Sequence, residues 1–254
     1  MFKGRRSATG VICCPTGAPG PYQGPPGPPE SLTISSSRHT GGHWSSAATC
    51  LPAPWARATT GYRLADEASH VDFTYRFEAD TEVIGYPVLT VWASVEGHDD
   101  GDLHVHVEKL DARGRQLWHQ TVTLGLPLAR TWMPIAHRRG VKQVALAFYG
   151  GPHGPLRLSR RGLDPASPAD RPTLSLREEH RLTLGEVVEA AIPLWPTAMR
   201  WHTGELVGLR ISGRLLLPSV LPGLAEEPLQ PGDRHILHTG GRYPSRLLLP
   251  TTPA

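Results

Sequence analysis

Apolar residues fall at every second position in a series of short stretches, and no stretch repeats them at helical spacing over a helix's length. Residues 71–77 (VDFTYRF) place Val71, Phe73, Tyr75 and Phe77 on one face, as a half-buried strand requires. Residues 83–95 (VIGYPVLTVWASV) continue the pattern through Val83, Gly85, Pro87, Leu89, Val91, Ala93 and Val95. Proline cannot donate to a ladder, so Pro87 predicts a bulge or the start of a second strand. An Asp- and Gly-rich turn follows at 97–101. Residues 103–110 and 116–124 then predict a hairpin around Asp111-Ala112-Arg113-Gly114, with Gly114 suited to a positive-φ turn position.

The middle is less regular. Residues 131–141 have no clean period, and 143–149 (QVALAFY) fit a strand or one short helix before Gly150-Gly151-Pro152. Further strands are expected at 156–160, 182–184, 186–194, 205–212, 234–237 and 245–249. The stretch 184–213 (LGEVVEAAIPLWPTAMRWHTGELVGLRISG) reads as two strands flanking a Trp-Pro turn and a Thr-Gly step, a β-arch. Nine or ten short strands without an internal repeat predict an all-β sandwich or jelly roll.

Composition divides the chain. Residues 1–60 carry clusters such as GAPGPYQGPPGPPE and SSSRHTGGHWSS with almost no apolar periodicity, which predicts a disordered leader over 1–61 and one domain over 62–254. Cys13, Cys14 and Cys50 all lie in that leader without CxxC spacing, so neither a disulfide framework nor a zinc site is indicated. The net charge of +3 is mild and its arginines are scattered, which argues against nucleic-acid binding. The N-terminus lacks the apolar core of a signal peptide, and no apolar run is long enough to span a membrane. A cytoplasmic location without membrane association is therefore the expectation, although the acid-free first 29 residues also have a transit-peptide flavour.

Four spaced segments resemble the C-terminal β-sandwich of the Xaa-Pro dipeptidyl-peptidase and cocaine-esterase-like (CocE/NonD) serine hydrolases. Residues 71–111 look like that family's opening strands and acidic turn. Residues 149–164 (YGGPHGPLRLSRRGLD) resemble its G-x-L-R-x-S-H-R segment, with Arg160 in the usual His position and Arg161 as the final Arg. Residues 171–213 carry the REE and LWPTAMRW steps, and 233–250 look like the closing hairpin. The resemblance implies an all-β, jelly-roll, galactose-binding-like sandwich. It also implies an accessory part of an ester-, amide- or Xaa-Pro-hydrolysing enzyme whose triad lies on an upstream α/β-hydrolase domain.

A nucleophile elbow needs glycines two residues either side of a serine between a strand and a helix, and no serine here has that spacing. The chain is accordingly expected to lack the catalytic domain, to be inactive alone, and to need no cofactor. Its expected partner is an α/β-hydrolase domain, or a second copy through the surface that domain would have covered. The alternative is a stand-alone carbohydrate- or protein-binding module.

Several residues are candidates for chemistry. His104, His106 and Glu108 alternate on one strand face and could bind a metal, although a solvated outer face is the simpler expectation. Asp99, Asp100 and Asp102 resemble a cation loop but suit a hydrogen-bonded turn better. Trp92, Trp118, Trp195 and Trp201 could form a sugar platform. Core or interface packing explains them more simply, with Trp195 plugging a corner beside Pro196. Arg157, Arg160 and Arg161 around Ser159 are the densest basic patch and, with Trp92 and Trp195, the candidate interface residues.

Overall fold

The computed structural model describes residues 9–13, 31–35, 58–64, 69–120, 135, 148–168, 171–215 and 232–253. They form an all-β fold of sixteen strands: β1 (Thr9–Cys13), β2 (Ser31–Ser35), β3 (Ala58–Arg63), β4 (His70–Arg76), β5 (Thr81–Gly85), β6 (Val88–Glu96), β7 (Asp102–Leu110), β8 (His119–Gln120), β9 (Phe148–Tyr149), β10 (His153–Arg157), β11 (Val188–Pro193), β12 (Thr197–Trp201), β13 (Leu206–Ser212), β14 (Arg234–Thr239), β15 (Arg246–Leu248) and β16 (Thr251–Pro253).

One ladder runs β10-β7-β13-β4, continues through β1 and β2, and returns as β15, β6, β14 and β3, with β11 on the other edge of β6. The curled sheet folds its two halves face to face, so that Val71, Phe73, Val105, Val107, Leu209 and Ile211 of one half share a single core with Leu89, Val91, Ala93, Ile192 and Leu237 of the other. That is a β-sandwich. The alternation expected for 71–77 and 83–95 is present, with Val71, Phe73, Phe77, Val83, Leu89, Val91, Ala93 and Val95 all buried.

Pro87 does divide its stretch, and the division is shared. Strands β12, β5 and β16 pair in the same order as β11, β6 and β15. Each pair of consecutive strands is therefore one long strand bent at a common line, which passes through Gly85–Pro87, Leu194–Pro196 and Leu249–Pro250. Prolines suit that crease because the ladder is interrupted there and a missing N–H leaves nothing unsatisfied. The remaining groups still pair across it: the Ile84 amide donates to the Pro250 carbonyl (3.0 Å) and the Leu194 amide to that of Pro87 (2.9 Å).

Several expectations are corrected. Residues 182–184 form no strand, and 156–160 splits into the end of β10 and a 3-10 turn, Leu158–Arg160. Thr197–Trp201 is a strand the sequence reading passed over, although Thr197, Met199 and Trp201 alternate inward. The closing segment is no hairpin. Both β14 and β15 run along the same edge of β6, one after the other, and Ser245 bridges the gap between them. Its hydroxyl accepts the Trp92 amide (3.1 Å) and donates to the His238 carbonyl (2.8 Å). The turn around Gly114 (φ 77°) is as expected, and Leu117 returns to the Lys109 carbonyl at 2.8 Å. Residues 121–124, 131–134, 136–141 and 143–147 lie outside the described residues, as does the expected leader except for β1, β2 and the start of β3.

His235 is wholly buried between the layers, with its Nδ1 hydrogen-bonded to Tyr62 Oη at 2.8 Å and its Nε2 without a partner among the described residues. Burial pushes its imidazole down to about 4. The unfolded chain takes up that proton near pH 6.5, before the folded one does. Stability from this group is thus complete above about 6.5 and is lost as pH falls toward 4, by about 3 kcal/mol at full extent. The thermal midpoint is expected to drop across this window, and to drop less in His235→Phe. An equal slope in that variant would assign the acid sensitivity elsewhere.

Candidate functional site

Two segments that the sequence separates by more than fifty residues come together at one end of the sandwich. The acidic turn 97–102 and the basic run 157–161 clasp each other. The buried Asp100 carboxylate accepts the Gly101 and Ser159 amides, each at 2.9 Å, and the Ser159 hydroxyl at 2.8 Å. Asp102 takes a two-pronged contact from Arg157, with Nε and Nη2 both at 2.8 Å. The Leu158 amide closes the clasp on the Gly101 carbonyl (2.8 Å).

The neighbouring arginines are consumed in the same way. Arg160 pairs with Glu179 (3.1 Å), and Arg161 donates to the carbonyls of Leu158 (3.0 Å) and His180 (2.6 Å). Arg181 bridges Glu179 and Asp99. Arg157, Asp100 and Asp102 therefore hold the two segments to each other, while Arg160, Arg161 and Asp99 pin the loop that follows through Glu179, His180 and Arg181. Charge-assisted bonds of this kind fix geometry more than they add stability at such exposure.

His104, His106 and Glu108 do share one face of β7, the outer one, but that face is not solvated as expected: His106 and Glu108 are buried. Glu108 Oε1 accepts Arg210 Nη1 at 2.9 Å and lies 3.3 Å from His106 Nδ1. Arg210 also forks onto Asp72 at 2.8 and 3.1 Å, and His70 approaches Asp72 at 3.2 Å. The result is a chain of charges across β4, β13 and β7. Burial acts to raise the Asp72 carboxyl, but the bonds from His70 and Arg210 outweigh it and hold it at about 2. Among the described residues no three His, Cys, Asp or Glu side chains group as a metal ion would need.

The tryptophans scatter. Trp201 is fully buried and donates from Nε1 to the Leu206 carbonyl at 3.1 Å, so it belongs to the core. Trp92 packs on Tyr243 on the outer face of β6, with ring centroids 5.5 Å apart. Trp195 stands at the crease but does not plug it: 60% of its surface is exposed, and its ring lies against His153 at 4.6 Å. Close to it along the crease, Ile84 and Tyr86 are also half exposed.

One serine–histidine pair was not anticipated from sequence. The Ser94 hydroxyl lies 2.8 Å from His238 Nε2, on neighbouring strands that pair Ile236 with Ser94. Ser94 is buried in the middle of β6. It therefore lacks the strand-to-helix corner and the loop amides that expose a nucleophile and stabilise an oxyanion.

Among the described residues no helix is long and apolar enough to cross a membrane. Residues 30–248 match the profile of the X-Pro dipeptidyl-peptidase C-terminal non-catalytic domain, starting inside the stretch expected to be a leader. Two crystal structures of a CocE/NonD family hydrolase from Staphylococcus aureus are similar, each at 26% identity, with TM-scores of 0.64 and 0.63. Each match covers 78% of this chain and 33% of the hydrolase, so the chain spans about a third of that protein's length. An aminopeptidase from a marine sediment archaeon, Thaumarchaeota archaeon, is more distantly similar (14% identity, TM-score 0.44, 73% of this chain and 26% of the aminopeptidase). No curated protein sequence matches significantly.

Proposed function

The chain belongs to the X-Pro dipeptidyl-peptidase C-terminal non-catalytic domain family, and on that basis we propose that it works as the accessory β-sandwich of a serine hydrolase and performs no hydrolysis itself. The observation that carries this is the family match over residues 30–248, which lies on a sandwich rather than on the α/β sheet a nucleophile elbow requires. The residues that invited a metal-binding assignment support the same view, because Glu108 is engaged by Arg210 and His106, and Asp100 and Asp102 by Ser159 and Arg157. Ester, amide or Xaa-Pro hydrolysis would belong to the catalytic domain that this sandwich accompanies.

The test is turnover of an Xaa-Pro anilide and a p-nitrophenyl ester by the purified chain. The expected result is the uncatalysed rate. Turnover that co-elutes with the protein and disappears with a serine-directed inhibitor would overturn the proposal, and Ser94→Ala would then show whether the Ser94–His238 pair is its source.

A further inference from the structure

The outer surface of the crease is apolar where a sheet facing water would be polar. On β5 the side chain of Val83 turns inward and that of Ile84 outward, 56% exposed. Ile84 pairs with the exposed Ala198 of β12 in the adjoining strand. One step toward the strand ends the facing pair is Glu82 and Arg200, which are polar. One step toward the crease come Tyr86 (49% exposed), Pro196 and Trp195. Together these residues form a short apolar ridge with a charged border, and Arg171 reaches from the pinned loop to within 5.9 Å of the Tyr86 ring.

We propose that this ridge, with Trp195, Tyr86 and Ile84 at its centre, is the surface on which the sandwich seats an α/β-hydrolase catalytic domain. The proposal rests on the accessory function above and adds the place of contact. Three features favour this occupant. The first is composition: Trp and Tyr beside an Arg are the side chains that anchor interfaces. The second is rigidity. The Trp195 amide donates to the His153 carbonyl at 3.0 Å, and its ring packs at a tilt against the His153 imidazole. An anchor already held in place loses little freedom on docking.

The third is size. Half-exposed side chains of this bulk offer roughly 300 Å² between them. That matches one side of a contact between domains, which buries about 600–1,500 Å² in total, and falls well short of the ~1,000 Å² per side of an obligate dimer. Arg157, Arg160 and Arg161, the charged interface candidates, are already engaged within the sandwich, which favours the ridge over them.

The test measures binding of the full chain to the Staphylococcus aureus CocE/NonD hydrolase shortened by the portion that this chain matches, using calorimetry. Trp195→Ser and Tyr86→Ser are each expected to weaken the dissociation constant by about tenfold or more. Leu184→Ser removes a still more exposed side chain (71%) in the turn before β11 and is expected to change nothing. Unaltered thermal midpoints establish that the variants fold, and a cooperative thermal transition establishes that the shortened hydrolase does. Binding that is equal in all four proteins would overturn the ridge while leaving the accessory function standing. No binding by the wild type would overturn both. A dimer of the chain alone that Trp195→Ser converts to monomer would assign the ridge to a second copy and overturn the proposed occupant.

Discussion

Gly151→Ala is expected to lower the thermal midpoint by roughly 6–12 °C, equivalent to about 3 kcal/mol in a domain of this size. Gly151 has φ 134°, a conformation that L side chains rarely adopt, and a Cβ built on it would collide with the Val107 carbonyl. The obstacle is backbone in the middle of β7, and Val107 is also held by its amide's 2.9 Å bond to the Pro152 carbonyl. Neither side can yield without loosening the approach of β10 to β7. Gly114→Ala is the matched control. Its φ of 77° is also positive, but nothing lies within 4 Å of the added methyl. It is expected to cost about 1 kcal/mol, the conformational term alone. Equal losses in the two variants would show that the collision at Gly151 is relieved by local movement.

Trp201→Ala is expected to cost about 3–5 kcal/mol, the range for emptying a large aromatic site in a packed core. The side chain is fully buried at the end of β12, against Phe77 with ring centroids 5.5 Å apart. Its Nε1 bond to the Leu206 carbonyl ties the strand to the start of β13. Trp201→Phe separates the two contributions. It keeps most of the volume and removes the donor, and about 1–3 kcal/mol is expected for leaving that carbonyl unpaired. Chemical denaturation of both variants measures the difference. If the alanine variant matched the phenylalanine variant, the hydrogen bond and not the packing would dominate.

Much of this fold is legible in sequence because its strands alternate. Each inward Val, Leu or Phe of β4, β6, β7 and β13 stands two positions from the next, and a sheet with one buried face imposes that spacing. Sequence reading failed where a strand is short or creased. Thr197–Trp201 offers only three inward residues, one of them threonine, and follows directly on a Trp-Pro pair that reads as a turn. The return of β15 to the edge of β6 depends on Ser245 bridging a gap in the ladder, which leaves no periodic mark.

The site was harder to read than the fold. Arg157, Arg160 and Arg161 look like a patch when counted along the chain. Their charges are answered by Asp102 and Glu179, and by carbonyls that only folding brings near. Proximity across more than fifty residues is set by topology, and one sequence does not display it. Burial of His106 and Glu108 on the outer face of β7 was invisible for the same reason.

The shared crease makes the lengths of three strands depend on one another. A residue inserted in β6 between Pro87 and the core positions would carry its proline off the line defined by Pro196 and Pro250. It would also turn every side chain beyond it to the opposite face. Related chains should therefore differ in length within the turn between Asp164 and Thr173, whose ends are already joined at 2.8 Å, and hardly at all between Thr81 and Glu96.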